Sequence, residues 1–217
     1  LDLSASLLQE RQLPAPNWSD DVASASLPLL QVDRWLQDVS ATLREPTLGL
    51  MSLAGTARGT GQMAELTAEC APTLGAALMA LVRHSGTVDE AASFHLHEAG
   101  DTAAFVMRSR LRRSHILRDY CWGLVALTVA RWLGSSAGLQ LWFAGPPPSY
   151  APSYRRALMD ISVGFDAPCD ALVLPVESLS LAMPRADAKL HDFMLRLAVR
   201  IENFERGGGA AYSECVD

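Results

Sequence analysis

Apolar residues between Leu27 and Leu43 recur at Leu29, Val32, Leu36, Val39 and Leu43, in steps of three and four. That rhythm predicts an amphipathic helix, closed by Pro46, which disfavours helix at Glu45. The stretch 1–26 sets Leu7 and Leu8 against Pro14, Pro16 and Ser19-Asp20-Asp21, and reads as a short helix and a loop. Two further helices are expected over Gln62 to Cys70 and Thr73 to His84, divided by Pro72 at a helix-start position. The alternation then changes to a period of two. Ser93 to His97 and Thr102 to Arg108 flank Glu98-Ala99-Gly100-Asp101, a strand, turn and strand. Centring the turn on Ala99-Gly100 puts Phe94, Leu96, Ala103, Phe105 and Met107 on one face and His95, His97, Ala104, Val106 and Arg108 on the other.

Ser114 is placed to cap a long helix reaching Leu133, apolar on nearly every side from Tyr120 onward and therefore central and buried. Leu139 to Phe143 and Ala171 to Leu174 read as strands, stopped by Gly145-Pro146 and by Pro175. The last helix, Ala188 to Phe204, repeats Leu190, Met194, Leu197, Ile201 and Phe204 in steps of four and three. This is the spacing of helices that pair, and it serves equally a helix packed on its own domain. The sum is an α+β fold: a small antiparallel sheet of about four strands, several helices and one central buried helix. Gly207-Gly208-Gly209 opens a segment without apolar periodicity.

Composition narrows the function more than the fold. The chain has 217 residues, 49% hydrophobic and 19% charged, which suits one substantial core. There are 18 basic and 24 acidic residues and a single lysine, Lys189, so no polybasic surface exists for phosphate backbones. Direct nucleic-acid binding by this segment is not expected. No apolar run approaches the roughly 20 residues that span a bilayer, and the chain starts at Leu1 without a leader, which reads as a trimmed start. Cys70, Cys121, Cys169 and Cys215 form no C-x-x-C pair, which fits free thiols in the cytoplasm.

The glycines from Gly49 to Gly61 match neither phosphate-binding fingerprint, and no lysine is near them. His95 and His97 share a strand face, but a metal site needs further ligands, and His84, His115 and His191 fall on separate helices. No hydrolase elbow, zinc-protease motif or thiol-enzyme signature is present, so no enzyme, cofactor or metal is expected. Asp119, one turn into the apolar helix, is read either as a partner of Arg118, of His115 or of the helix N-terminus, or as an anchor for a cationic group. Phe94, His95, Phe105, Met107, Asp119, Tyr120, Trp122 and Trp142 are the candidate ligand-binding residues, with plain core as the competing reading of the aromatics.

Leu48-Gly49-Leu50, Gly61-Gln62-Met63 and Pro72 to Leu78 with Leu81 and Arg83-His84 form an ordered run. Together with the hairpin and long helix, and with Val163-Gly164-Phe165-Asp166-Ala167-Pro168 ahead of Ala171 to Leu174, Leu179 and Ala186-Asp187, it resembles the arabinose-binding-like N-terminal region of AraC-type regulators. Two places depart from the family pattern: Met159 to Val163, where a compact segment is common, and Asp119, where Glu is usual. The resemblance implies an effector-binding and dimerisation domain over 27–205. Residues 206–217 would then link it to a helix-turn-helix domain outside this chain, through which alone DNA is contacted. The expected partners are a small organic effector, with a lean toward a cationic or amine compound, and a second copy joined through Leu190, Met194, Leu197 and Ile201. A self-association or partner-binding module without a ligand pocket is the alternative.

Overall fold

The computed structural model describes residues 29–55, 63–84, 92–109 and 113–211, the side chains of 29, 54, 55, 63 and 201–211 excepted. The expected elements of 1–26 and the ends of the glycine-rich segment and of the C-terminal segment lie outside these. The fold is α+β, with seven α-helices and five strands among the described residues. It divides into two compact units, one of Leu1–Arg58, Leu111–Arg131 and Ser135–Val173, the other of Gly59–Arg110, Trp132–Gly134 and Leu174–Asp217.

The first unit is built from α1 (Leu29–Leu43), α2 (Leu48–Met51) and most of a long helix whose position in the order is α5 (His115–Leu133), with α6 (Pro152–Ala157), strands β3 (Gln140–Trp142) and β4 (Ser162–Gly164), and the first three residues of β5 (Ala171–Pro175). The periodic face of α1 buries Leu36 and Val39 against Leu48, Ile116 and Leu117, with Val32, Trp35 and Leu43 at the margin. Each such aliphatic burial contributes about 1.5–3 kcal/mol. The helix ends on Arg44 in the left-handed region at φ 52°, where the Ser40 hydroxyl donates to Glu45 O at 2.9 Å.

Ser114 caps α5 as its position predicts: the Leu117 N–H donates to its Oγ at 3.2 Å. Asp33 of α1 in turn accepts the Ser114 N–H at 2.8 Å and its hydroxyl, so the start of α5 is tied to α1. No residue from Ile116 to Ala130 is exposed, as an all-round apolar helix requires.

β3 lies between its two partners. It runs antiparallel to β5 through Leu141↔Leu172 and parallel to β4 through Leu141↔Val163. The expected small, mostly antiparallel sheet is present, with five strands where about four were expected and one parallel pair among them. The chain leaves β3 through Pro146-Pro147-Pro148 and α6 and returns in the same direction, the long crossover that parallel pairing demands.

The second unit contains α3 (Met63–Glu69), α4 (Leu74–Arg83), the hairpin β1 (Ala92–Ala99) and β2 (Thr102–Ser109), and α7 (Ala188–Ala211). Thr73 caps α4 through the Ala76 N–H at 3.2 Å. The hairpin pairs Ala99 with Thr102 across Gly100-Asp101, two residues off the expected register, and Gly100 adopts φ 61°. Because the shift is even, the faces are those expected: Phe94 and Phe105 are buried and stack at 5.2 Å between centroids. α7 is capped by Asp187, whose carboxylate accepts the N–H groups of Lys189 and Leu190, both at 3.0 Å. It continues past the expected Phe204, through Gly207-Gly208-Gly209, to Ala211.

Candidate functional site

The first unit brings α2, α5 and α6 around an open-sided cleft of about 810 Å³. Each wall is one helical face. Leu124, Leu127, Thr128 and Arg131 fall at positions i, i+3, i+4 and i+7 of α5, and Ser153, Arg156 and Ala157 repeat that spacing on α6. Thr47, Leu50, Met51 and Leu53 form the third wall, and Met159 closes the rim. The backbone turns at Met159 (φ 50°) and Asp160 (φ 64°), both left-handed and neither a glycine. The turn is held by Asp160 N–H to Arg155 O at 3.0 Å and by the Ser136 hydroxyl on Met159 O at 3.2 Å. It leaves the Met159 side chain 60% exposed, with Met51 opposite in kind at 57%.

Charge in this cleft is one-sided. Arg131 and Arg156 line it and no carboxylate does. Asp160, beside it, is bonded to Arg155 Nε at 2.8 Å. The Glu45 carboxylate is occupied by the Thr47 N–H and hydroxyl, which hold it below the usual carboxylate range.

Asp119 belongs to a separate cluster in the same unit. It is 1% exposed, and one oxygen accepts from Arg118 Nε at 3.2 Å and Nη2 at 3.1 Å. The other accepts the Tyr150 hydroxyl at 2.8 Å. The Arg118 guanidinium lies 4.4 Å from the Phe143 ring centroid and also reaches Tyr154 Oη at 3.5 Å. Tyr150 and Tyr154 stack at 5.9 Å, and Tyr154 meets Phe165 edge-on at 5.6 Å. Burial, followed by the bond to Asp119, pushes the Tyr150 phenol up, and burial, followed by the charge of Asp119, does the same to Tyr154. This is a closed network in which an anion already has its partners. A smaller cleft of about 420 Å³ borders it, lined by Tyr154, Phe165, Ile161 and Asp160 among others.

Of the eight expected ligand-binding residues, Phe94, His95, Phe105 and Met107 belong to the hairpin of the second unit. Asp119, Tyr120, Trp122 and Trp142 belong to the first. None of the eight lines either cleft. His95 shares a hydrogen bond with Ser93 Oγ at 3.0 Å and stacks on His97 at 6.0 Å. Met107 is half-buried opposite Phe94. Tyr120 and Trp122 are buried, and among the described residues no acceptor reaches the Trp122 indole N–H. Trp142 is 37% exposed and donates to Gln140 Oε1 at 3.2 Å.

Along α7, Leu190 is exposed, Met194 and Leu197 are half-buried, and Ile201 lies where side chains are not described. The helix packs on α3, where His191 Nδ1 meets Thr67 O at 2.8 Å and Ala198 is buried. Among the described residues no group of three metal-ligating side chains occurs, and no helix is long and apolar enough to cross a membrane.

Residues that sequence reasoning missed are Tyr150 and Tyr154, Arg118 as their partner, and the cleft walls. The signal for the walls was Thr128 and Arg131, polar members of one face of a helix that is mostly apolar from Tyr120 onward.

The domain model described as the arabinose-binding domain of AraC transcription regulators, N-terminal, matches residues 4–183. The chain belongs to that family. Among solved structures, the crystal structure of the transcriptional regulator CdpR from Pseudomonas aeruginosa is similar at a TM-score of 0.60 and 19% identity, over 81% of this chain and 58% of that one. At that identity the likeness concerns the fold, and this chain spans less than two thirds of the CdpR chain. No curated protein matches this chain. The family is one of regulatory ligand-binding domains, and the resemblance read from the glycine and proline blocks agrees with it.

Proposed function

We propose that this domain senses a small organic effector in the cytoplasm and passes its binding state to a DNA-binding domain elsewhere in the regulator. The observation that carries this reading is the cleft of about 810 Å³, within the roughly 300–1,000 Å³ typical of small-molecule sites. Its walls come from three helices, so occupancy would bear on the arrangement of α2, α5 and α6 together. That is the differential contact a ligand needs to shift an equilibrium between two states. Membership of a ligand-binding regulatory family supports the same role.

Asp119 as anchor for an amine effector is less well supported, since such a ligand must displace Arg118 or Tyr150 from a buried carboxylate. A second function, pairing of two copies through α7, is favoured by the exposure of Leu190 (47%) and Phe193 (54%) on its outer side.

The test is a thermal-shift screen of the chain against amines, amino acids, aromatic acids and fatty acids. A ligand of the native state raises the melting temperature, increasingly so as its concentration passes its Kd. A compound that stabilises the chain and is lost on Leu127→Trp, which fills the cleft, supports the reading. A library-wide absence of any shift counts against sensing and leaves self-association as the function.

A further inference from the structure

We infer that the cleft between α2, α5 and α6 takes an amphipathic organic anion, an acidic head on an apolar body, with Arg156 as a head-group contact. This rests on the sensing reading above and specifies its ligand class. The cleft floor is aliphatic, drawn from Leu50, Leu53, Leu124 and Leu127, so most of an occupant's surface must be apolar. The charged side chains on its wall are both arginines, and the forked, permanently charged guanidinium suits a carboxylate better than any neutral head.

Adjacent arginines on α6 differ in a telling way. Arg155 is bound to Asp160, whereas Arg156, one residue on and turned to the cleft, has no carboxylate partner among the described residues. A cationic occupant would meet like charge at Arg156, with no carboxylate among the lining residues to receive it. The left-handed Met159-Asp160 turn that ends this segment is the kind of local strain that persists where the surrounding fold imposes it, and it sets the exposed Met159 at the mouth of the cleft.

Three probes with the same ten-carbon tail separate the possibilities: decanoate, decan-1-ol and decylamine, each below its micelle-forming concentration. Binding is read by isothermal calorimetry and by melting temperature on the 217-residue chain and on Arg156→Lys, Arg156→Glu and Leu127→Trp. Decanoate is expected to bind most tightly. Arg156→Glu should weaken it about tenfold or more, Arg156→Lys much less, and Leu127→Trp should abolish it. The exposed position of Arg156 leaves its variants folded, which their ligand-free melting checks.

Tighter binding of decylamine than of decanoate would overturn the anion assignment while leaving sensing intact. Equal binding of decanoate to Arg156→Glu and to the unaltered chain would overturn the head-group contact. No binding of any of the three overturns the inference, and the wider screen then judges the sensing role separately. A cleft covered by a second copy is also excluded or shown here: Met159→Asp lowering the mass by light scattering, with no probe bound, would mark an interface and overturn the ligand site.

Discussion

Two residues show how closely the first unit is fitted. A Cβ on Gly49 would stand 2.1 Å from Ile116 O and 3.3 Å from Asp119 Cβ, so α2 and α5 meet backbone to backbone at that point. A carbonyl oxygen in a helix cannot swing aside as a side chain does. Gly49→Ala is therefore expected to cost about 1–3 kcal/mol, read from urea unfolding midpoints. Tyr150 gives a second prediction, in pH. Its folded-state pKa is raised by burial and by Asp119, so the folded protein holds the phenolic proton more tightly than the unfolded chain does. That contribution is complete below the unfolded tyrosine value of about 10 and is lost as pH rises beyond it. Urea midpoints from pH 7 to 11 should fall at the alkaline end, and Tyr150→Phe should flatten the fall. An unchanged slope would mean that Asp119 and burial do not govern that proton. Neither residue's role was legible in sequence. Gly49 was visible as a glycine in a family-like run, but its contact lies far along the chain; Tyr150 sits in a proline-rich loop with no periodicity to reveal what it faces.

Elements were more legible than residues wherever the pattern itself is physical. The α1 stripe, the Ser114 cap and the all-round apolar α5 follow from burial and from unsatisfied helix N–H groups, and the structure has each. β4 was missed because a three-residue strand ending in Gly164 carries no alternation, and its partner is reached only through a crossover. α7 ran longer than expected because glycine weakens a helix by only about 1 kcal/mol per residue and does not forbid it. Its four-and-three spacing left packing and pairing equal, and burial along the helix is uneven. Ala198 is buried and Met194 half-buried, while Leu190 and Phe193 remain exposed. If two copies pair through those exposed residues, Phe193→Glu should halve the molar mass measured by light scattering at micromolar concentration while leaving the melting temperature of the single chain nearly unchanged. An unaltered mass would assign Phe193 to the ordinary scatter of exposed apolar residues.

For the whole molecule, the cleft falls in the first compact unit and α7, with its exposed Leu190 and Phe193, in the second. A sensor in which one unit binds and another associates must couple the two by free energy, and such coupling is reciprocal. If an effector found by the thermal screen changes the affinity of the regulator for its DNA by some factor, saturating DNA must change the affinity for that effector by the same factor. The expected coupling of about 1–3 kcal/mol corresponds to roughly 5- to 150-fold. Calorimetric titration of the effector into a regulator carrying this domain, with and without DNA, measures it directly. Equal effector affinity in both titrations would mean that effector binding is not coupled to DNA binding. Leu127→Trp should remove the coupling in both directions, because it fills the cleft the effector would occupy.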